Sequence, residues 1–315
     1  MGRPIRYLPH PDTTFEVTCK TLHGRLLLRP SKVLNDLVLG VVGRALSLYP
    51  GVLLHLFVVL SNHMHLILTV PDSRTLSLFM CYINSNIARE VGRLHCWREK
   101  FWGRRYRAIA ILDDQALLDR VAYVLSHGCK EGLVRRPEDW PGIHCVHALR
   151  DGVPLYGTWF HRTREYEARR AGSDDDPHRF SIPYPVPLSP LPCWKGIAKS
   201  ETCLRFAELV KVIEAEYARS RETSGKPSVL GDRRVLAQSP HSRPAELKRS
   251  NAPLCHSATL ESWMAFRDSY REFVEHFHSC ARRLRKQRKL VPFPSHSFPP
   301  SVGYWEQHVA VPGPT

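Results

Sequence analysis

Apolar residues in the N-terminal half of the chain switch between the two spacings that distinguish strands from helices. The runs 52–60 and 63–70 are almost wholly apolar and are joined by Ser61 and Asn62, a pattern that predicts a β-hairpin. Residues 32–48 instead repeat their apolar positions at helical spacing. The predicted elements, in chain order, are a strand or hairpin at 13–28, a helix at 32–48, strands at 52–60 and 63–70, a helix after 72, a strand at 101–112 and a helix at 113–127.

The order of these elements predicts an α+β fold, with a ferredoxin-like antiparallel sheet covered by helices. After about residue 150 the pattern changes, because prolines interrupt the chain repeatedly before helical spacing returns. The C-terminal extension is therefore expected to be mostly helical and rich in proline. The predicted organisation is a compact domain at 1–150, a proline-rich linker at 151–198, a helical basic extension at 199–290 and an irregular tail at 291–315.

Composition and charge narrow the class of partner. Hydrophobic residues make up 43% of the 315 residues, and the formal net charge is +15 with a pI near 9.6. An excess of this size favours a polyanion such as nucleic acid, although a basic surface can also serve solubility alone. No apolar run reaches the ~20 residues that span a bilayer, and none of the nine cysteines forms a CxxC pair. We therefore expect a soluble cytoplasmic protein with reduced thiols and no membrane partner.

Two histidines separated by one residue begin the second strand of the predicted hairpin. His63 and His65 project from the same face, because residues two apart on a strand point the same way. Paired imidazoles on a rigid sheet can bind a divalent metal ion, and in a strongly basic protein such an ion suggests phosphate chemistry. A histidine pair of this kind, taken alone, is more often simply packed in the core or exposed to solvent. Further candidate ligands elsewhere in the sequence are therefore needed to favour a metal site.

A tyrosine and a histidine four residues apart lie on the third predicted helix. Tyr123 and His127 share one helical face, so His127 can complete a metal site with the histidine pair. Tyr123 can attack a phosphate that the ion polarises, which would leave a phosphotyrosyl link to one DNA end. Packing on an amphipathic helix is the competing interpretation of Tyr123. Tyr82 and Tyr106 are weaker nucleophile candidates, because neither has a ligand at the matching helical offset.

Three blocks of sequence together resemble the single-tyrosine HUH transposases, and in particular the REP-associated tyrosine transposases. The blocks are residues 62–68, 100–106 and 123–134, and their order and spacing agree with that family. Residues 137–141 resemble the segment that follows the nucleophile helix. The resemblance covers roughly residues 10–150, about half of the chain.

This resemblance implies an HUH endonuclease domain that binds a DNA hairpin and cleaves and rejoins single-stranded DNA. It further implies a Mg²⁺ or Mn²⁺ cofactor, a 5′-phosphotyrosine intermediate at Tyr123, and metal ligation by His63 and His65. The family usually places Asn or Gln four residues beyond the tyrosine as a further ligand, whereas this chain has His127 there. The implied protein is a bacterial, nucleoid-associated mobile-element enzyme, and a homodimer is possible because relatives act as monomers or dimers.

Two groups of basic residues are candidate DNA contacts, since phosphate contacts supply most of the affinity for DNA. The candidates are Arg104, Arg105 and Arg107 on the predicted strand, and Arg282, Arg283, Arg285 and Lys286 on the last helix. Solvent-exposed faces explain the second group about equally well. Two other functions stay open: an inactive or domesticated DNA-binding protein of the same fold, and a replication-initiation or RNA-processing nuclease. The double tyrosine that would favour an initiator is absent from the nucleophile helix.

Overall fold

The computed structural model describes residues 7–172, 176–225, 228–244, 251–287 and 291–300. Within these ranges, the central feature is a five-stranded sheet covered by helices on both faces, and a separate two-stranded sheet lies in the C-terminal half. The strands are β1 (Thr13–Lys20), β2 (Leu53–Leu60), β3 (His63–Val70), β4 (Arg107–Ile111), β5 (Leu155–Phe160), β6 (Ser181–Val186) and β7 (Cys255–His256). The helices are α1 (Lys32–Leu48), α2 (Ser73–Leu94), α3 (Asp114–Leu125), α4 (His127–Lys130), α5 (Val146–Arg150), α6 (Arg162–Arg170), α7 (Lys199–Thr223), α8 (Asp232–Ala237) and α9 (Leu260–Gln287).

The strand order of the large sheet is β2-β3-β1-β4-β7. The first four strands pair antiparallel, and the order β-α-β-β-α-β along the chain is the ferredoxin-like arrangement that the sequence predicts. The predicted α+β fold class is therefore confirmed. The fifth strand, β7, comes from the C-terminal extension and pairs parallel to β4 through Cys255 and His256.

Side chains along β1 point alternately to the two faces of the large sheet, and each face is covered by its own hydrophobic layer. Phe15 and Val17 point to one face of the sheet, where they pack in a core that α1 and α2 cover. The opposite face carries Glu16 and Thr18, and its apolar positions pack against α3 and α7. All functional candidates on β3 lie on this second face, because Thr18 pairs with His65 in the antiparallel register.

Short polar side chains fix where the helices begin. The side chains of Ser31, Asp72 and Asp113 accept hydrogen bonds from backbone N–H groups in the first turns of α1, α2 and α3. An N-cap of this kind stabilises a helix by about 1 kcal/mol. The predicted third helix divides in two: α3 ends at Leu125, and a short separate helix begins at His127.

The segment 151–198, which the sequence predicts to be a linker, contains the antiparallel strand pair β5–β6, with α6 in the connection between the two strands. This strand pair packs on α1, where the backbone of Thr158 approaches Gly40 so closely that a Cβ on Gly40 would lie 2.1 Å from the Thr158 carbonyl oxygen. The prolines of β6 stand in a two-stranded ribbon with free edges, where missing N–H donors cost little. The predicted domain boundaries themselves stay a prediction.

The outer edge of β2 is covered by loops of the same chain. The backbone N–H of Ser189 donates to the carbonyl oxygen of Leu54, and the N–H of Val59 donates to that of Ile143. Trp140 adds an indole N–H that donates to the Val59 carbonyl oxygen.

The C-terminal extension consists mainly of α7 and α9, as the helical spacing predicts. Residues 291–300 form no helix or strand, and the remainder of the predicted irregular tail lies outside the described ranges. No described helix has the length and apolar character needed to cross a bilayer.

Candidate metal and nucleophile site

Three buried histidines converge where β3 meets the start of α4. His63 and His65 come from β3 and His127 from α4, and one ring nitrogen of each lies within 4.8 Å of the others. The Nε2 atoms of His63 and His127 are 3.2 Å apart. The three side chains are 4–9% exposed, so they form an almost enclosed cluster of nitrogen ligands.

Polar neighbours orient two of the imidazoles. The Nδ1 atom of His63 lies 2.6 Å from the Oδ1 atom of Asn62, and the Nδ1 atom of His65 lies 3.0 Å from the Oε1 atom of Glu16. Contacts of this type fix which nitrogen is free to bind a metal ion. In both histidines the Nε2 atom is then the one that faces the cluster.

Burial keeps the cluster in the form that binds metal. Desolvation is the main cause that lowers the pKa of His63 well below its ordinary value, with His65 and His127 adding to the effect. Burial likewise lowers the pKa of His127 to about 2. Neutral imidazoles are metal ligands, whereas imidazolium ions are not.

The donor set fits a divalent ion on two further observations. The buried Nε2 atom of His65 has no hydrogen-bond partner within the described part of the chain, and the Nε2 atoms of His63 and His127 face each other. Buried polar atoms without partners are costly, and an ion between three nitrogens would satisfy those that face it. The cluster could therefore hold a metal ion with positions left over for a phosphate or water.

Tyr123 lies beside this cluster. Its ring centroid is 5.2 Å from that of His127 and 6.1 Å from that of His65. The guanidinium carbon of Arg120 lies 3.9 Å from the ring centroid, and the Lys130 ammonium lies 4.3 Å from it. The phenol is half-buried, so desolvation raises its pKa while the Arg120 charge opposes that rise. The structure thus brings together all four residues of the predicted catalytic group.

A buried carboxylate connects the tyrosine to the histidines. Glu16 accepts a hydrogen bond from Arg120 at 2.8 Å through Oε2, while its Oε1 contacts His65. The Nε2 atom of His256, on β7, lies 2.9 Å from Glu16 Oε2. Burial opposes ionisation, but contacts with His256 and His65 and the Arg120 charge hold the pKa of Glu16 well below its ordinary range.

The sequence interpretation missed Glu16, Arg120 and His256. A signal existed for Glu16, because it is an acidic residue in the middle of a strand whose neighbours on either side are apolar. Arg120 precedes Tyr123 by one helical turn, so the i, i+3 rule places it on the same face. Nothing local marks His256, which reaches the site only through the pairing of β7 with β4.

The predicted DNA contacts divide by location. Arg107 begins β4 on the same sheet face as the histidines, and Arg104 and Arg105 immediately precede it. The other group lies exposed near the C-terminal end of α9, and no described contact joins it to the histidine cluster. That group consists of Arg282, Arg283, Arg285 and Lys286.

The two rival tyrosines lie elsewhere. Tyr82 packs against the α1–α2 core near Tyr49 and Trp159. Tyr106 is buried at the start of the β4 edge. Neither side chain has a described contact with the histidine cluster, so Tyr123 is the candidate nucleophile that the geometry favours.

Comparison with known proteins gives a partial likeness of fold. No protein-family model matches the chain, and no curated protein matches it significantly. Among solved structures, it is similar to a REP-associated tyrosine transposase bound to a REP hairpin, with 22% identity over 45% of this chain and 81% of that chain and a TM-score of 0.38. It is also similar to a protein of Deinococcus radiodurans assigned as a transposase, with 14% identity over 39% of this chain and 95% of that chain and a TM-score of 0.28. These similarities are partial, and any function of this chain is argued from its own residues.

Proposed function

We propose that this chain is a metal-dependent, single-tyrosine transposase or nuclease that cleaves and rejoins single-stranded DNA. The observation that carries the proposal is the position of the Tyr123 ring against three buried histidines whose ring nitrogens lie within 4.8 Å of one another. The net charge of +15 supports a polyanionic substrate. Strand transfer of this kind belongs to the chemistry of mobile DNA elements.

Each residue has a defined part in this reaction. His63, His65 and His127 would hold Mn²⁺ or Mg²⁺, which when bound supplies Lewis-acid polarisation of the scissile phosphate. The Tyr123 hydroxyl gives up its proton and its oxygen forms a bond to phosphorus, while the bond to the 3′ oxygen breaks and that oxygen takes up a proton, which leaves a 3′ hydroxyl and a 5′-phosphotyrosine. One phosphodiester replaces another, so a free 3′ hydroxyl can reverse the step and rejoin the strand. Arg120 orients the phenol from its contact with the ring.

We expect the histidine cluster to bind Mn²⁺ more tightly than Mg²⁺. Mg²⁺ demands oxygen ligands in near-ideal octahedral geometry, whereas a first-row transition ion such as Mn²⁺ tolerates imidazole nitrogens more readily. Binding of Mn²⁺ should raise the melting temperature of the full chain, and His63→Ala should abolish that rise. A rise of equal size in the variant would contradict ligation by His63.

The nucleophile is tested by trapping the covalent intermediate. The full chain is incubated with a hairpin-bearing single strand, with and without Mn²⁺, and denaturing gels are scored for a protein–DNA adduct. We expect an adduct that requires the ion, and we expect Tyr123→Phe to lose it. Tyr166→Phe removes a hydroxyl from an exposed tyrosine on α6 and is the matched control. An adduct that persists in Tyr123→Phe would refute the assignment.

A second candidate is a DNA-binding protein of the same fold without the chemistry. It is favoured by the replacement of the family's usual amide ligand with His127 and by the two cations that cover the Tyr123 ring. The same assay separates the two functions. Binding of the hairpin strand with no adduct under any metal condition would select the binding protein. The homodimer and the nucleoid association stay predictions, which size measurement in solution and cell imaging can test.

A further inference from the structure

A cavity of about 390 Å³ lies between β4 and α9, at the edge of the sheet away from β2. Its walls are aromatic, its floor is made of small side chains and its rim is basic. Among its described lining residues there are three arginines and no carboxylate. The residues that matter here are Tyr106, Phe266 and Tyr270 in the walls, Ala108 in the floor, and Arg104 and Arg105 at the rim.

The space exists because β4 has small side chains where it faces α9. Ala108 and Ala110 stand on the same side of the strand, opposite the aromatic face of the helix. On that face the rings of Phe266 and Tyr270 are nearly parallel, with centroids 6.4 Å apart. The cavity falls within the range of ~300–1,000 Å³ typical of pockets that bind small organic groups.

The cavity lies on the sheet face opposite the histidine cluster, because its Ala108 pairs with Val17 whereas Arg107 pairs with Thr18, and basic residues lie where β4 begins, between the two faces. Lys20 pairs with His63 across the β1–β3 register, and Arg107 pairs with Thr18 across the β1–β4 register. The charges of Arg107 and Arg104 act on Lys20, and the Glu131 carboxylate offsets part of them. Three like charges this close together repel one another, and the phosphates of a DNA strand would relieve that repulsion.

We propose that this cavity is a binding site for one unpaired nucleobase of the single strand that the site cleaves. The base would stack against the Tyr270 ring, next to Tyr106, and its flanking phosphates would contact Arg104 and Arg105. Aromatic platforms beside basic grooves bind single-stranded nucleic acid in this way, because every base has a π-face. The inference rests on the proposed function, since it places the base on a strand that runs from the tyrosine over the edge of β4.

The pocket is tested by photo-crosslinking, which does not need catalysis. The full chain is irradiated with a single strand that contains 5-iododeoxyuridine in place of thymidine, and crosslinked peptides are identified by mass spectrometry. We expect crosslinks at Tyr270 or Tyr106. The same strand without the halogen, titrated by fluorescence anisotropy, gives the affinity. Because neither measurement needs Mn²⁺ or Tyr123, both remain readable if the cleavage assay fails.

Two variants test whether the single strand binds in the cavity. Ala108→Leu should fill the floor, and Tyr270→Ala should remove a stacking face, and each should weaken strand binding about 5- to 150-fold. Ala215→Leu makes the same change at an exposed position of α7 and should bind as the wild type does. Tyr270→Phe keeps the ring and should also bind normally, which separates stacking from misfolding.

The opposite results overturn the proposal. Unchanged affinity in both Ala108→Leu and Tyr270→Ala, or crosslinks confined to residues outside the cavity, would show that no base enters it. Equal weakening by Tyr270→Phe and Tyr270→Ala would also exclude stacking. An adduct at Tyr123 together with any of these results would leave the cleavage function standing and remove only the base pocket.

Discussion

At the scale of single residues, Glu16 is the group on which the site depends most. One carboxylate contacts a candidate metal ligand and a residue that touches the candidate nucleophile. Sequence reasoning named four candidate residues that the structure places together, and it missed the groups that contact and orient them. The reason is physical: ligands and nucleophiles have recognisable spacing, whereas Glu16 and Arg120 meet across 104 positions of the chain only after folding.

Neutralising Glu16 should weaken metal binding. Glu16→Gln keeps the shape but removes the charge that orients His65, and loss of such an outer contact typically costs about 10- to 100-fold in metal affinity. Titration of Mn²⁺ by calorimetry measures the change. Glu201→Gln breaks an exposed ion pair on α7 and should bind Mn²⁺ normally. Equal affinities for wild type and Glu16→Gln would mean that the carboxylate has no part in the metal site.

Replacing Arg120 should slow the covalent step without abolishing DNA binding. Arg120→Met removes both the contact with the Tyr123 ring and the hydrogen bond to Glu16. Small displacements of a reacting group can cost on the order of 100-fold in rate, so we expect adduct formation to fall by about 10- to 100-fold. Arg89→Met changes an exposed arginine on α2 and is the control. A normal single-turnover rate in Arg120→Met would exclude a positioning role.

At the scale of elements, hydrophobic spacing predicted the ferredoxin-like half correctly in type and order. The C-terminal half was less predictable, because β6 contains two prolines and β7 has only two residues. The strands there are stabilised by contacts with elements far away in the chain: β5 and β6 pack on α1, and β7 pairs with β4. Local pattern cannot supply such partners, and the two-residue strand β7 has no periodicity at all.

The packing of the β5–β6 strand pair on α1 predicts that Gly40→Ala destabilises the protein. Gly40→Ala should destabilise the protein by about 1–3 kcal/mol, because the new Cβ would collide with the Thr158 backbone. If residues 151–198 were a free linker, the same change would stabilise α1 by about 1 kcal/mol through helix propensity. Urea unfolding measures the difference. Gly51→Ala adds a Cβ at ordinary contact distance from Pro71 and should be nearly neutral.

At the scale of the whole molecule, buried histidines should make stability depend on pH. Burial lowers the pKa of His55, His63, His127 and His144, to about 2 for His127 and about 4 for His144. Below about pH 6.5 the histidines of the unfolded chain bind more protons than those of the folded chain. The free energy of unfolding therefore decreases as the pH falls from about 6.5 towards the pKa values of the histidines in the folded chain. Each histidine contributes a loss of up to about 1.4 kcal/mol per pH unit in that window.

Urea unfolding of the metal-free chain between about pH 7 and pH 5 tests this dependence. We expect stability to fall steadily across the range, and we expect His144→Gln to reduce the slope. His10→Gln changes an exposed histidine and should leave the slope as it is in the wild type. A stability that is constant over this range would contradict the neutral, desolvated state of these side chains.

Loops that cover the outer edge of β2 have a consequence for self-association. Ser189 and Ile143 already occupy two of the backbone groups, the Leu54 carbonyl and the Val59 N–H, through which a foreign strand would add to that side of the sheet. A strand that adds there for cross-β aggregation would have to displace these loops, although β2 is one of the most apolar stretches in the molecule. If two copies do assemble through this side of the large sheet, their contact has to be built from loops and side chains, because these loops stand between β2 and any strand that approaches it.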